Sequence, residues 1–343
     1  MKSGLIFYEA GHIPIYKMVK NRFMEDLSMK ILFAAHENAW GGFLGLIRNE
    51  LPQHLFSASG RFGFENLKGY DVLIPTMSVV RREHLVDADH LRLIQQCGAG
   101  LEGVDLNAAR DMNIMVANVP SDISGNADSV AELGIYLMIG LSRDFRKMAL
   151  SFADRQTGTP LGRALSGKTV GLIGLGGIGT ALARRLKPFD VHLMGIKRDD
   201  PQKAKAELGL EWAGTPADME KLLSHADYVV LCLPLTPENT HMVGRQAFSQ
   251  MKRDAFLINL SRGGLVDRAA LEEALASEKI KGAGLDVFWE EPVDPDDPIF
   301  RYNVLTTPHI AGSTDISIQG IVKAVAENIR RLEKGQAPLY QKK

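Results

Sequence analysis

Three apolar runs in the second half of this chain stop at ionisable residues. The first, Leu257-Ile258-Asn259-Leu260-Ser261-Arg262-Gly263-Gly264, ends at an arginine and two glycines. The second, Gly284-Leu285-Asp286-Val287-Phe288-Trp289-Glu290-Glu291-Pro292, ends at acids. The third, Leu305-Thr306-Thr307-Pro308-His309-Ile310-Ala311-Gly312-Ser313, carries a histidine. Arginine is a strong binder of anions, and histidine exchanges a proton near neutral pH. Each residue also has a plain structural reading: a surface ion pair for Arg262, a turn for the acids before Pro292, a packed ring for His309. In doubly wound sheets, ligands bind beyond the carboxyl ends of the strands. All three runs are therefore expected to deliver their polar groups to one crevice.

A fourth segment, residues 169–179, reads as a strand running into GxGxxG. Gly174 suits a tight turn, Gly176 lets backbone approach a pyrophosphate, and Gly179 permits close helix–strand packing, with the helix N-terminus facing the phosphates. The motif alone is weak. Here a strand precedes it, a helical pattern through Ala181, Leu182 and Leu186 follows, and a second strand comes at 191–196, so a dinucleotide site is expected. Where an acid commonly holds the adenosine ribose, this chain reads Lys197-Arg198-Asp199-Asp200. Lys197 and Arg198 would pair with a 2′-phosphate, which favours NADP. The alternative is NAD, with Asp199 or Asp200 on the ribose and both bases in solvent.

These segments need a scaffold. Apolar runs at 31–34, 72–74, 91–95 and 114–117 alternate with polar or helical stretches, the mark of a parallel α/β domain. A long helix is expected near 129–150, with Ser129 and Glu132 at capping-box spacing and Asp128 as a rival cap. After the breaker-rich stretch 156–160, a second α/β series places strands at 169–173, 191–196, 228–233, 255–259 and 284–288. The last helical pattern, 318–332, fits either domain by periodicity. Because Met29 opens the first strand-like run, residues 1–28 read as an extension or as the product of an upstream start.

A chain of 343 residues suits two domains. Its 45% hydrophobic and 24% charged content is that of an ordinary globular protein. With 40 basic and 41 acidic side chains, it has no general attraction for nucleic acid or anionic membrane. No apolar run is long enough for a membrane-spanning helix. Cys97 and Cys232 form no CxxC, which suits a reducing, cytoplasmic setting. No metal site is expected.

In this order, the segments resemble the D-isomer-specific 2-hydroxyacid dehydrogenase family. The resemblance spans about 29–331 and includes 165–171, Leu231-Cys232-Leu233-Pro234-Leu235-Thr236-Pro237-Glu238-Asn239-Thr240, 259–267, 285–292 and 307–313. It implies two doubly wound parallel-sheet domains with an active-site cleft between them. A Rossmann cofactor domain would cover 127–308, and a flavodoxin-like substrate domain would combine 1–126 with 309–343. It implies hydride transfer between NAD(P)H and C2 of a small 2-oxo acid, giving a D-2-hydroxy acid. Arg262 would bind the carboxylate, His309 would serve as acid and base, and Glu291 would hold His309 and favour its protonated form. Glu290, one residue off the family position, would face solvent. Backbone N–H groups of Ala99 and Gly100, in the loop 97–105, would also receive the substrate. Cofactor contacts would come from Gly174, Gly176, Gly177, Ile178, Gly179, Lys197, Arg198, Leu233, Pro234, Leu260, Ser261, Asp286, His309 and Gly312. Family members commonly dimerise through the long helix, so a homodimer is implied.

The chain departs from phosphoglycerate dehydrogenases after the strand at 72–74. It reads Pro75-Thr76-Met77-Ser78 where they place a phosphate-binding arginine, and Arg81 and Arg82 come only later. Glyoxylate, hydroxypyruvate and larger 2-oxo acids stay open. Formate dehydrogenases carry glutamine at the position of Glu291. Relatives that oxidise phosphite keep the Arg–Glu–His set, and others act as NAD-sensing corepressors that bind short peptides.

Overall fold

The computed structural model describes residues 28–342; the expected N-terminal extension, residues 1–28, lies outside the described residues except for its last position. Two largely parallel sheets organise them. The first has the order β13-β5-β4-β3-β1-β2, from strands β1 (Lys30–Phe33), β2 (Leu55–Ala58), β3 (Val72–Ile74), β4 (Leu93–Gln95), β5 (Met115–Ala117) and the two-residue β13 (Gln341–Lys342). Strands 2-1-3-4-5 follow the flavodoxin-like order, and β13 joins the β5 edge antiparallel.

The second sheet has the order β12-β11-β10-β9-β6-β7-β8. Its strands are β6 (Thr169–Ile173), β7 (His192–Ile196), β8 (Trp212–Gly214), β9 (Tyr228–Leu231), β10 (Phe256–Asn259), β11 (Gly282–Leu285) and β12 (Val304–Thr306). This is the Rossmann order with one further strand, and the chain reverses direction across the sheet between β6 and β9. Every residue of β9, β10 and β11 is buried, as required where helices cover both faces. Alternation along the strands divides the core. Val170, Leu172, Tyr228, Val230 and Ile258 pack on one face with Leu137 and Leu182. Ile173, Val229, Leu231 and Leu257 pack on the other with Leu222, Phe248 and Leu271.

The expected helix at 129–150 is two helices, Asn126–Ser142 and Phe145–Ala153. Asp144, left-handed at φ 53°, breaks the run and caps the second helix by accepting from the Lys147 N–H. The first starts earlier than the capping-box spacing predicts, behind Gly125 at φ 75°. The Ser129 hydroxyl instead donates back to the Gly125 carbonyl at 2.9 Å. The strand expected at 284–288 is Gly282–Leu285, so Asp286, Val287 and Phe288 lie past its end. Strands β2 and β8 escaped the sequence reading; both are edge strands with shorter or partly exposed apolar patterns.

Contacts group the chain into two compact units. One gathers the residues up to Gln96, Gly103–Ala117 and Val325–Lys343; the other gathers Cys97–Glu102 and Asn118–Ala324. The groupings differ from the division expected at 126/127 and 308/309. The Ser129 and Thr314 hydroxyls meet at 2.6 Å, and Gly320 lies so close to the Ser124 backbone that a Cβ would come within 2.8 Å of Ser124 Cα. These contacts assign the start of helix Asp315–Glu333 to the second unit. Its later turns belong to the first, where Asn328 donates to Gln95 at 2.7 Å. Among the described residues, no helix is long and apolar enough to cross a membrane.

Candidate active site

Parallel register aligns Ile173 with Leu231 and Ile196, Leu231 with Asn259, Asn259 with Leu285, and Leu285 with Thr306. The residues following each strand therefore leave the same edge of the second sheet. At β6 the chain turns through Gly174, whose φ of 99° is costly for a side chain. A Cβ there would come within 2.7 Å of the Cys232 carbonyl oxygen. Gly179 packs against the Gly174 carbonyl with no room for a side chain, and a Cβ on Gly177 would approach Ser121 Oγ at 2.6 Å. Gly176 differs: a Cβ added there meets nothing within 4 Å. Its space opens at the N-terminus of helix Gly177–Leu186, where no side chain caps the free N–H groups. Gly176, Gly177, Ile178 and Gly179 thus frame a cradle suited to a pyrophosphate.

Beyond β10, Asn259 shapes the turn. Its side-chain oxygen accepts from the Ser261 N–H at 3.0 Å, and its amide donates to the Arg262 carbonyl at 2.8 Å. The Ser261 hydroxyl donates to the Leu231 carbonyl, tying this turn to β9. Leu260 and Ser261 are buried. Gly263 lies against the Phe288 carbonyl without space for a Cβ, which brings the turn beside the end of β11. Arg262 Nη1 donates to the Ser261 carbonyl at 2.7 Å, and Nε makes an ion pair with Glu102.

Beyond β11, Asp286 is 1% exposed. Its carboxylate accepts from the Thr307 hydroxyl at 2.6 Å and from the N–H groups of Ile310 at 2.9 Å and Ala311 at 3.1 Å. The Asp286 carbonyl accepts from the His309 N–H at 2.8 Å. Burial pushes the Asp286 carboxyl above its ordinary value, against the pull of these donors and of the His309 charge. His309, at φ 53°, is thereby held with Nδ1 at 2.6 Å from Glu291 Oε2. The other Glu291 oxygen accepts from the Phe288 N–H at 2.9 Å. Burial raises the Glu291 carboxyl, but the His309 hydrogen bond and charge, the Phe288 N–H and the Arg262 charge outweigh it and leave the group below its ordinary value. A carboxylate held ionised makes Nδ1 the donor of the pair and leaves proton exchange to Nε2. Glu290 is exposed.

The loop 97–102 belongs to the same unit. Asn118 donates to the Ala99 carbonyl at 2.7 Å, while its buried side-chain oxygen has no partner among the described residues. Among the described residues, the N–H groups of Ala99 and Gly100 have no acceptor. A Cβ on Gly100 would collide with both the Arg262 guanidinium and the Glu102 carboxylate.

Leu233 and Pro234 follow β9, with Leu233 against Gly174, and Gly312 packs on the Asn126 amide. Lys197 and Arg198 follow β7; Arg198 is 87% exposed and 3.5 Å from Asp199. Asp200 is occupied in capping helix Pro201–Leu208. In the first unit, Arg81 lies 3.8 Å from Glu83, and Arg82 pairs with Asp111. Asn118, Asn259, Glu102 and Thr307 were not singled out from sequence. The signal for Asn259 was a polar residue closing a fully buried strand, since a buried amide needs partners.

The family profile described as D-isomer specific 2-hydroxyacid dehydrogenase, NAD binding domain, matches residues 135–311. A glyoxylate reductase of Korarchaeum cryptofilum is 34% identical over 311 residues, 86% of this chain and 88% of the relative. The chain belongs to the D-isomer-specific 2-hydroxyacid dehydrogenase family. Membership makes it an oxidoreductase with a nicotinamide dinucleotide cofactor. It is also 36% identical over 278 residues to a D-3-phosphoglycerate dehydrogenase of Methanocaldococcus jannaschii; that match covers 79% of this chain but about half, 51%, of the relative. A solved structure of Escherichia coli D-lactate dehydrogenase superposes with a TM-score of 0.76 at 29% identity, covering 91% of this chain and 99% of that one. Among the described residues, no group of side chains is placed to hold a metal ion.

The two glycines should separate by substitution. Gly174→Ala is expected to lower stability by about 1–2 kcal/mol through backbone strain alone, with further loss from the clash at Cys232. Gly176→Ala should leave the melting temperature unchanged and weaken dinucleotide binding about tenfold or more. Thermal unfolding and fluorescence titration with the reduced cofactor read the two effects; a stable Gly174→Ala, or undiminished binding by Gly176→Ala, contradicts the loop geometry.

Glu291 gives a signed pH effect. A carboxyl depressed below its ordinary value of 4.5 stabilises the folded chain above that pH and loses the contribution as pH falls through the folded value. The melting-temperature advantage of the wild type over Glu291→Gln should therefore be full at neutral pH and shrink on acidification below 4.5. An advantage that grew with acid would contradict the ion pair.

Proposed function

We propose that this protein reduces a small, non-phosphorylated 2-oxo acid to the D-2-hydroxy acid, with Arg262, Glu291 and His309 as its reacting set. The single observation that carries this reading is the Glu291–His309 hydrogen bond, on a loop fixed by Asp286, at the sheet edge that also presents Arg262 and the glycine cradle. Arg262 offers its fork to the substrate carboxylate, assisted by the N–H groups of Ala99 and Gly100. Glu291 accepts a hydrogen bond from the Nδ1–H of His309, which leaves Nε2 to give its proton to the C2 oxygen. In oxidation the same nitrogen receives it. The dinucleotide, when bound, supplies or accepts the hydride at C2. Gly174, Gly176, Gly177, Ile178 and Gly179 would hold its pyrophosphate, and Leu233, Pro234, Leu260, Ser261, Asp286 and Gly312 would line the rest of its path.

NADP is the proposed cofactor. Asp200 is engaged in a helix cap, Arg198 is exposed beside Asp199, and Lys197 adds a second cation at the strand end. For the substrate, Arg81 and Arg82 each face an acid in the first unit, which supports an acid without a phosphate. A homodimer is also proposed: Leu150, Phe152 and Leu161 are 63%, 87% and 98% exposed, an apolar area suited to a second copy.

Steady-state reduction of glyoxylate, hydroxypyruvate and pyruvate, each with NADPH and NADH, tests the reading. Turnover of at least one is expected. His309→Gln should lower kcat about 10²- to 10⁴-fold with cofactor affinity little changed; near-wild-type turnover would remove His309 from the mechanism. Absence of turnover with all three acids, despite cofactor binding, would redirect attention to phosphite oxidation or to a nucleotide-sensing role. Replacing both Lys197 and Arg198 with Ala should weaken NADPH binding about ten- to a hundredfold and spare NADH. Equal effects on the two cofactors would reject the NADP assignment.

A further inference from the structure

The proposed carboxylate seat already holds a carboxylate, that of Glu102. Nε of Arg262 pairs with Glu102 Oε1, and Gly100 lies against the pair, where any side chain would meet both the guanidinium and the carboxylate. The arginine does not need this acid for its position. Asn259 fixes its backbone, and Nη1 is anchored on the Ser261 carbonyl. Both charged side chains are about one-third exposed, 34% and 35%, so water can take over either partner and displacement is cheap. Among the described residues, the N–H groups of Ala99 and Gly100 in the same loop have no acceptor. An arginine anchored elsewhere, free N–H groups beside it and a mobile-length acid across its fork describe an anion seat with an internal occupant.

We infer that Glu102 is a specificity-determining residue that competes with the substrate carboxylate for Arg262 and selects against substrates bearing a second negative charge. The inference rests on the reading of Arg262 as the carboxylate binder. When a monoanionic 2-oxo acid enters, its carboxylate replaces that of Glu102 on the guanidinium. The displaced side chain remains tethered two residues from Gly100, and Glu291 is close enough to feel the Arg262 charge. A dianion would therefore bring its extra charge toward two resident carboxylates, and opposition of like charges falls more heavily on it than on the monoanion.

Two unreactive analogues measure this without turnover: oxamate, a monoanion, and oxalate, a dianion. Each is titrated by calorimetry into the wild-type protein saturated with reduced cofactor, and into Glu102→Gln, Glu102→Ala and Arg262→Gln. Both Glu102 variants should bind oxamate about two- to fivefold more tightly, the range for release from a partly exposed ion pair. Oxalate should gain by a larger factor than oxamate in both. An oxalate gain no larger than that of oxamate, unchanged affinities, or weaker binding of both would overturn the proposal. Arg262→Gln separates the two levels of the reading. Loss of both analogues keeps Arg262 as the seat whatever Glu102 does, whereas retained binding would refute the seat itself.

Discussion

A single buried carboxylate organises the reacting end of the second sheet. Asp286 sits at the end of β11 with almost no solvent contact, and desolvation alone would penalise its charge heavily. It is kept by three donors, all from the segment 307–311. That dependence works in both directions. The carboxylate needs the Thr307 hydroxyl and two N–H groups, and in gathering them it forces the chain after β12 to fold back over β11. His309 lies in the middle of the gathered segment and has a left-handed backbone that an isolated chain would disfavour. Its ring faces Glu291 because its backbone has no other course.

The same economy appears on the neighbouring strand. Asn259 closes β10 and spends its amide on the two residues after it, so the position of Arg262 follows from a side chain three residues earlier. Gly263 then allows the turn to lie against the Phe288 carbonyl. Two strand ends are thus locked together by backbone proximity, and the charges they carry interact: the Arg262 charge is one of the influences that keep Glu291 ionised. Geometry of this kind tolerates exposure of the proposed reacting groups themselves, since His309 and Glu291 keep 25% and 19% of their side chains accessible. Precision comes from the layer beneath.

Much of this architecture could be read from residue order. Short, mostly apolar runs such as 72–74 and 169–173 became strands without adjustment, because burial on both faces selects consecutive apolar residues. The glycine cradle was legible because each glycine answers a distinct steric demand. The strand ends bearing Arg262, Glu291 and His309 were legible because ionisable residues interrupt apolar runs there. Other features depended on partners far away in sequence. Ser129 has the spacing of a capping box, yet its hydroxyl turns back to Gly125 and meets Thr314, so a local pattern lost to a tertiary contact. Asp144 split one apparent helix into two through a single left-handed residue that no periodicity reveals. Glu102 passed unnoticed inside a glycine-rich loop, since nothing in its neighbours announces an arginine 160 residues later.

Charge accounting links that arginine to the rest of the site. An exposed guanidinium beside free N–H groups concentrates positive potential, and the folded chain meets it with two acids of its own, Glu102 and Glu291. Their environments differ. Glu291 accepts from a backbone N–H and from His309, so it is fixed; Glu102 makes a single pair at a partly exposed position, so it can leave. In the proposed reading, a substrate carboxylate that takes the place of Glu102 keeps the Arg262 guanidinium paired. In that reading the Glu291 carboxylate holds Nδ1 of His309 before and after binding, so the orientation of Nε2 does not depend on the substrate.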